Sequence, residues 1–286
     1  MLVVRGVNGS SRPRFGDSGV YAGIHRKYSV PQSSLITLTT DFGTVDGFAG
    51  AMKGVLSQKA PGTTLVDLTH DIEPFDRIGA LLALRTSVRH FPGGTVHLVV
   101  VDPGVGSSRR GLIVSAGGQY LVGPDNGILP AVYPVKESTV YALSPAWFEQ
   151  AAPTFHGRDV FAPVAAALAM GKQPDELGET VTDAERLALP PAGRAGSVVK
   201  GEIIHVDRFG NLVSNIPRAA TGSSMHLAVS VNRKPVRFGQ TFADADLGIA
   251  IAYWGSGNLL EIAVREGNAR AMFGGKGLPV EVVKYG

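Results

Sequence analysis

The chain contains no cysteine, which removes disulfides, thiolate metal sites and thiol nucleophiles from consideration. A cysteine-free chain suits any redox compartment. It also lacks an apolar run near the roughly 18 to 20 residues that span a bilayer, so no membrane embedding is expected. Excess charge is scarce as well. Five of the 27 basic and one of the 24 acidic residues fall in residues 1–34, leaving 22 against 23 in the remainder. The body therefore lacks the basic footprint of a nucleic-acid partner. Residues 1–34, with Arg5, Arg12, Arg14, Arg26 and Lys27 against Asp17, show no clear hydrophobic period. They read as a disordered extension, or more sharply as an organellar targeting peptide.

What is present is 286 residues with 44% hydrophobic content, enough for two domains with folded cores. From Leu35 the pattern alternates strand-like and helix-like segments, the signature of an α/β layer. LITLTT, TTLVDLTH and TVHLVVV read as strands; Gly47–Gln58, Ile78–His90 and Asp159–Met170 read as helices; GLIVSA and QYLVG read as a hairpin. Leu187–Ser197, rich in Pro, Gly and Ala, reads as a linker. Beyond it come short alternating strands with Gly and Asn turns, the texture of a small antiparallel β-barrel or sandwich. The expectation is an α/β domain over 35–190, with a central mostly parallel sheet, and a smaller antiparallel β-barrel domain over 197–286.

The most informative segment is HLVVVDPGVGSSRR, His97–Arg110. Its valine run reads as a strand buried on both faces, ended by Pro103, Gly104 and Gly106. Asp102 then stands at a strand's carboxyl end beside a glycine-rich loop, where open α/β sheets bind their ligands. Polar residues close other strands too: Asp41, Asp67 with His70 and Asp71, Asp125 with Asn126, and His156 with Arg158 and Asp159. PGVGSS resembles a phosphate cradle but lacks the Gly-Lys-Ser/Thr of a P-loop. Asp41, Asp67, Asp102, His70 and His156 are types that ligate metals, yet their scatter has no HExxH-like spacing. His97, inside a strand, reads as a core histidine. Asp102, Arg109 and His156 complement one another: a guanidinium holds an anion, while a carboxylate and an imidazole accept protons and orient water. A structural ion pair at the loop fits the same spacing.

TDFG, DLTHDI, VDPGVGSSRR, GPDNG, TFHGRD, DRFGNLVSNI, TFAD and LEIAV, in this order from Leu35 onward, resemble the S-adenosyl-L-methionine hydroxide adenosyltransferases, relatives of the fluorinases and chlorinases. The resemblance implies a cytoplasmic homotrimer that uses no cofactor or metal. It also implies hydrolysis of S-adenosyl-L-methionine to adenosine and L-methionine by water or hydroxide attack on ribose C5′. Asp102, Arg109 and His156 fall where the family activates that water. Asp41 falls at the ribose-binding carboxylate, Phe75 near the ribose, Asp207 and Ser256 at the methionine contacts, and Phe209, Asn211 and Phe242 at the adenine pocket. The substrate is implied to lie between the first domain of one subunit and the β domain of its neighbour. Halogenating relatives carry tyrosine in place of Asp102, serine in place of Gly157, and an insertion absent here, so a 5′-halogenase is disfavoured. Arg265 stands where the family often has asparagine, which bears on the adenine-edge contact. A non-catalytic sensor of S-adenosylmethionine or adenosine and a metal-dependent hydrolase are the other readings.

Overall fold

The computed structural model describes residues 35–222 and 226–285. The expectation for residues 1–34 lies outside them. In chain order the first part comprises β1 (Leu35–Thr40), α1 (Phe48–Lys59), β2 (Thr64–Thr69), α2 (Arg77–Ser87), β3 (Val96–Val100), β4 (Gly111–Ala116), β5 (Gln119–Pro124), α3 (Ile128–Val132), β6 (Ser138–Leu143), α4 (Ala162–Ala169) and β7 (Gly178–Val181). Its sheet has the order β2-β1-β3-β5-β4-β6-β7. The β2-β1-β3-β5 half is parallel, and the β4 hairpin with β6 and β7 makes the other half antiparallel, so the sheet is mixed.

β3 shows why the valine run is needed. Leu98 and Val100 pack into a core with Met52 and Leu56 of α1 and Val164, Ala165 and Leu168 of α4. Val99 and Val101 face the opposite core, with Ala80 and Leu84 of α2 and Ile128 and Leu129 of α3. Both faces are covered, so alternate residues are equally apolar. The alanines of α4 let it lie close on the sheet.

The second part comprises β8 (Gly193–Ala195), β9 (Val198–Val206), β10 (Leu212–Pro217), β11 (Leu227–Val231), β12 (Lys234–Phe238), β13 (Ala250–Trp254), β14 (Leu259–Val264), α5 (Ala269–Phe273) and β15 (Pro279–Lys284). The order is β10-β14-β13-β12-β11-β15-β9, and β9 pairs back onto β10 to close a seven-stranded barrel, with β8 added beside β9. Every pairing is antiparallel except β12–β13. Closure leaves no free edge among these seven strands. No helix among the described residues is long and apolar enough to cross a membrane.

His97 is the core histidine its position implies. Its Nδ1 lies 2.8 Å from Thr37 Oγ1 and its Nε2 3.4 Å from Gln119 Oε1. Burial pushes its pKa down to about 4. The folded state therefore holds the ring neutral, while the unfolded chain takes up a proton near pH 6.5. The stability this group supports is whole above about pH 6.5 and declines as pH falls toward 4. Urea unfolding at pH 7 and 4.5 should show wild type losing roughly 2–3 kcal/mol more than His97→Gln. Parallel losses would contradict this.

Candidate active site

The alternation along β3 places Asp102, two residues beyond Val100, on the α1–α4 side of the sheet. The turn after it is held by Gly104 N–H donating to Asp102 Oδ1 at 3.2 Å. Gly106 has φ +79°, and a Cβ there would lie 2.9 Å from the Pro153 carbonyl. Glycine therefore lets this loop rest on the segment leading to His156. That histidine immediately precedes a π-helical turn, Gly157–Phe161, which opens α4. Such turns recur at functional sites. The sequence periodicity reads this stretch only as ordinary helix.

Arg109 joins the two loops. Its Nε donates to both Asp102 oxygens at 3.1 Å, and its Nη2 donates to Asp102 Oδ2 at 2.5 Å and to His156 Nδ1 at 2.8 Å. Guanidinium nitrogens only donate, so His156 Nδ1 must offer its lone pair and the neutral ring carries its hydrogen on Nε2. The side chains of Asp102 and Arg109 are 5% and 9% exposed, which makes this a buried charge pair. The guanidinium lies 5.1 Å from the Phe161 ring centroid and 5.9 Å from that of Phe148. Its Nη1 is buried and has no hydrogen-bond partner among the described residues. Burial, and then the adjacent Arg109 charge, hold the His156 pKa below the ordinary histidine value, with Asp102 and Asp159 opposing.

Asp102 and His156 open onto a cavity of about 310 Å³, together with Asp41 and Phe75. Phe42, Phe48 and Phe155 form one wall, their rings edge to face at centroid distances of 5.5 to 6.1 Å. Phe42 and Phe155 lie within the TDFG and TFHGRD motifs, which is the signal that marks them in sequence, whereas Phe48 opens α1 and carries no such signal. Asp41 Oδ2 accepts the Phe75 N–H at 2.9 Å. Phe75 has φ +67°, a left-handed conformation costly for a bulky residue, and its ring stands exposed.

The remaining sequence-derived residues lie elsewhere. Asp207 closes β9 and is saturated by its own turn, accepting from Phe209 N–H at 2.9 Å, Asn211 N–H at 2.8 Å and Asn211 Nδ2 at 2.9 Å. Asp207 and Ser256 line a separate cleft of about 810 Å³ between the α/β part and the barrel. His205, which has no evident neighbour in sequence, also lines it, 3.9 Å from Asp76. Phe209, 77% exposed, and Phe242 stand on the barrel surface, Phe242 edge to face with Tyr253 at 6.4 Å. Arg265 donates to the Ala243 and Ala245 carbonyls at 3.3 and 2.8 Å, bracing the turn that carries Phe242. One chain thus brings together Asp41, Phe75, Asp102, Arg109 and His156, and keeps Asp207, Phe209, Asn211, Phe242 and Ser256 apart from them.

Two further motifs are structural. Asp125 takes Arg110 at 2.7 and 3.0 Å, while Asn126 Nδ2 donates to the Val101 carbonyl at 2.7 Å, pinning the end of β3 just before Asp102. Asp159 holds Arg158 and the Ala152 N–H. Among the described residues no group of three or more His, Asp or Glu side chains is arranged to hold a metal ion.

Residues 36–178 match the model of the SAM hydroxide adenosyltransferase N-terminal domain, and residues 201–278 that of the C-terminal domain. The (R)-S-adenosyl-L-methionine hydrolase of Thermus thermophilus is 40% identical over 256 residues, covering 85% of this chain and 97% of its own. The hydrolase of the same name from Salinispora arenicola is 37% identical, covering 82% and 91%. A fluorinase from an Actinoplanes species is more distant, at 29% identity with 80% and 90% covered. A solved structure of a conserved protein from Thermotoga maritima superposes with a TM-score of 0.78 at 33% identity, covering 87% of this chain and all of that one. With both of its parts matched and the acid, guanidinium and imidazole gathered at one cavity, the chain belongs to the SAM hydroxide adenosyltransferase family.

Proposed function

We propose that the protein hydrolyses (R)-S-adenosyl-L-methionine to adenosine and L-methionine. The single observation that carries this reading is the buried Asp102–Arg109–His156 cluster opening onto a cavity rimmed by Asp41 and Phe75. A water oxygen bonds to ribose C5′ as the C5′–S bond breaks, and the electron pair leaves with sulfur as a neutral thioether. The leaving group needs no acid, so the demand falls on the nucleophile. Arg109, bonded to both Asp102 and His156 behind the cavity wall, supplies the positive charge that favours the developing hydroxide. His156 presents Nε2–H rather than a lone pair, which leaves Asp102 to accept the water proton. Asp41 is the acceptor for the ribose hydroxyls, and Phe75 flanks the sugar. Halide fits this cavity poorly beside an anionic Asp102. A Cβ at Gly157 would already press Met52 Sδ at 3.2 Å and Val100 Cγ1 at 3.3 Å.

Incubation of the purified protein with each sulfonium epimer, followed by chromatography, should release adenosine and methionine in equal amounts from the (R) epimer, and equally in the presence of a chelator. Tight binding without release would favour a sensor instead. Protonating His156 sets a second cation against Arg109, so kcat/KM should stay level from pH 8 to 6.5 and fall only at lower pH. A midpoint above 6.5 would contradict the neutral-ring assignment.

The working unit in this proposal is a homotrimer. Phe48, Phe75 and Val105 expose apolar surface at the cavity, and Phe209, Phe242, Leu247 and Ile249 expose it on the barrel. A head-to-tail contact between the two patches closes into a ring and brings the barrel residues over a neighbour's cavity. Light scattering should give about three times the 29.9 kDa chain mass. Phe209→Glu should lower both that mass and the turnover; a fully active monomer would refute the arrangement.

A further inference from the structure

We propose that His70 is a positioning residue that fixes the ribose-binding loop, acting through Thr40 and through the chain that leads to Phe75; this rests on the hydrolase reading above. The ring is buried, with Nδ1 2.8 Å from Thr40 Oγ1 and Nε2 3.0 Å from Asp67 Oδ1. Lys53 of α1 occupies the other Asp67 oxygen at 2.6 Å. Burial opposes ionisation of Asp67, but the hydrogen bonds from Lys53 and His70 hold its pKa below the usual carboxylate value. A carboxylate facing Nε2 places the ring hydrogen there, so Nδ1 accepts from the Thr40 hydroxyl. Two residues that read in sequence as metal-ligand types are thus spent on orienting one another.

The consequence falls on Asp41. On one side of it, Thr40 is bonded to the His70 ring and its hydroxyl oxygen accepts the Phe42 N–H at 3.3 Å. On the other side, the Gly43 N–H donates to the His70 carbonyl at 2.8 Å. The Asp41 carboxylate is bonded to the Phe75 N–H, five residues beyond His70. A bulge between β1 and β2, where Leu38 pairs with Asp67 but Thr39 pairs with Thr69, shifts the register just before these contacts. His70 therefore ties the loop carrying the carboxylate to the segment carrying the aromatic ring. It does so from behind, without lining the cavity.

A residue that sets the aim of Asp41 should influence recognition of the ribose hydroxyls specifically. The test compares calorimetric binding of adenosine and 2′,3′-dideoxyadenosine to the intact protein, to His70→Phe and to Thr40→Val. Wild type should prefer adenosine. Both variants should weaken adenosine by about tenfold, the equivalent of roughly one lost hydrogen bond. Dideoxyadenosine affinity should change by less than about twofold, and the double variant should be no worse than His70→Phe alone. Thr40→Val keeps the side-chain shape and carries the test even if the bulkier replacement fails to fold. Equal weakening of both nucleosides, or adenosine binding untouched in Thr40→Val, overturns the role of His70 while leaving the hydrolase reading intact. A wild-type protein that binds neither nucleoside overturns the reading beneath it, and one that binds both equally overturns the ribose role of Asp41.

Discussion

Asp102→Asn should lower kcat for S-adenosyl-L-methionine hydrolysis by about 10²- to 10⁴-fold, the usual consequence of removing a general base. It should leave adenosine affinity within about threefold. Asparagine keeps the shape of the side chain but cannot take the proton that water loses on attacking C5′. It also turns one acceptor of the Arg109 guanidinium into an amide donor facing other donors. His156 cannot substitute as placed, because its lone-pair nitrogen is already held by Arg109. Turnover by quantified adenosine release and affinity by calorimetry separate the two effects. If rate and binding fall together, the pair only braces the loop.

Arg109→Met should be the most destabilising replacement at the site, costing about 3–5 kcal/mol in urea unfolding at neutral pH. The reason is what remains: an Asp102 side chain that is 5% exposed, without its main partner and with only one backbone N–H bonded to it. In the double variant Asp102→Leu/Arg109→Met no buried charge is stranded, so most of that loss should be recovered while turnover stays absent. Recovery of stability without recovery of rate distinguishes a charge kept for chemistry from one kept for folding. A single-variant loss below about 1 kcal/mol would mean that the pair behaves as an exposed ion pair.

The part of this site nearest β3 was legible in the sequence for a simple reason. A strand buried on both faces must be apolar at every position, so the first carboxylate after it marks the strand end, and Asp102 is found there. The gathering of Asp41 and His156 at the same cavity follows from the same strand-end logic together with helix α4 lying over β1 and β3. Other features carry no local signal. The antiparallel half of the sheet depends on β6 and β7, a half-exposed strand and a four-residue strand whose patterns scarcely alternate. Closure of the barrel depends on β9 pairing with β10, which short alternating strands specify no better than a sandwich. The bond of His70 to Thr40 links residues 30 apart, and its sequence neighbours suggest a ligand set instead. The separation of Phe209 and Phe242 from the cavity is likewise invisible in a linear pattern, because it is a property of how the two parts are placed.

The most direct test of the central claim is hydrolysis of (R)-S-adenosyl-L-methionine in H₂¹⁸O, with the released nucleoside analysed by mass spectrometry. Attack of water on C5′ predicts adenosine carrying one ¹⁸O at its 5′ oxygen, together with unlabelled methionine. Unlabelled adenosine, a 5′-halogenated nucleoside when halide is supplied, or no nucleoside at all from protein that binds the substrate would contradict it.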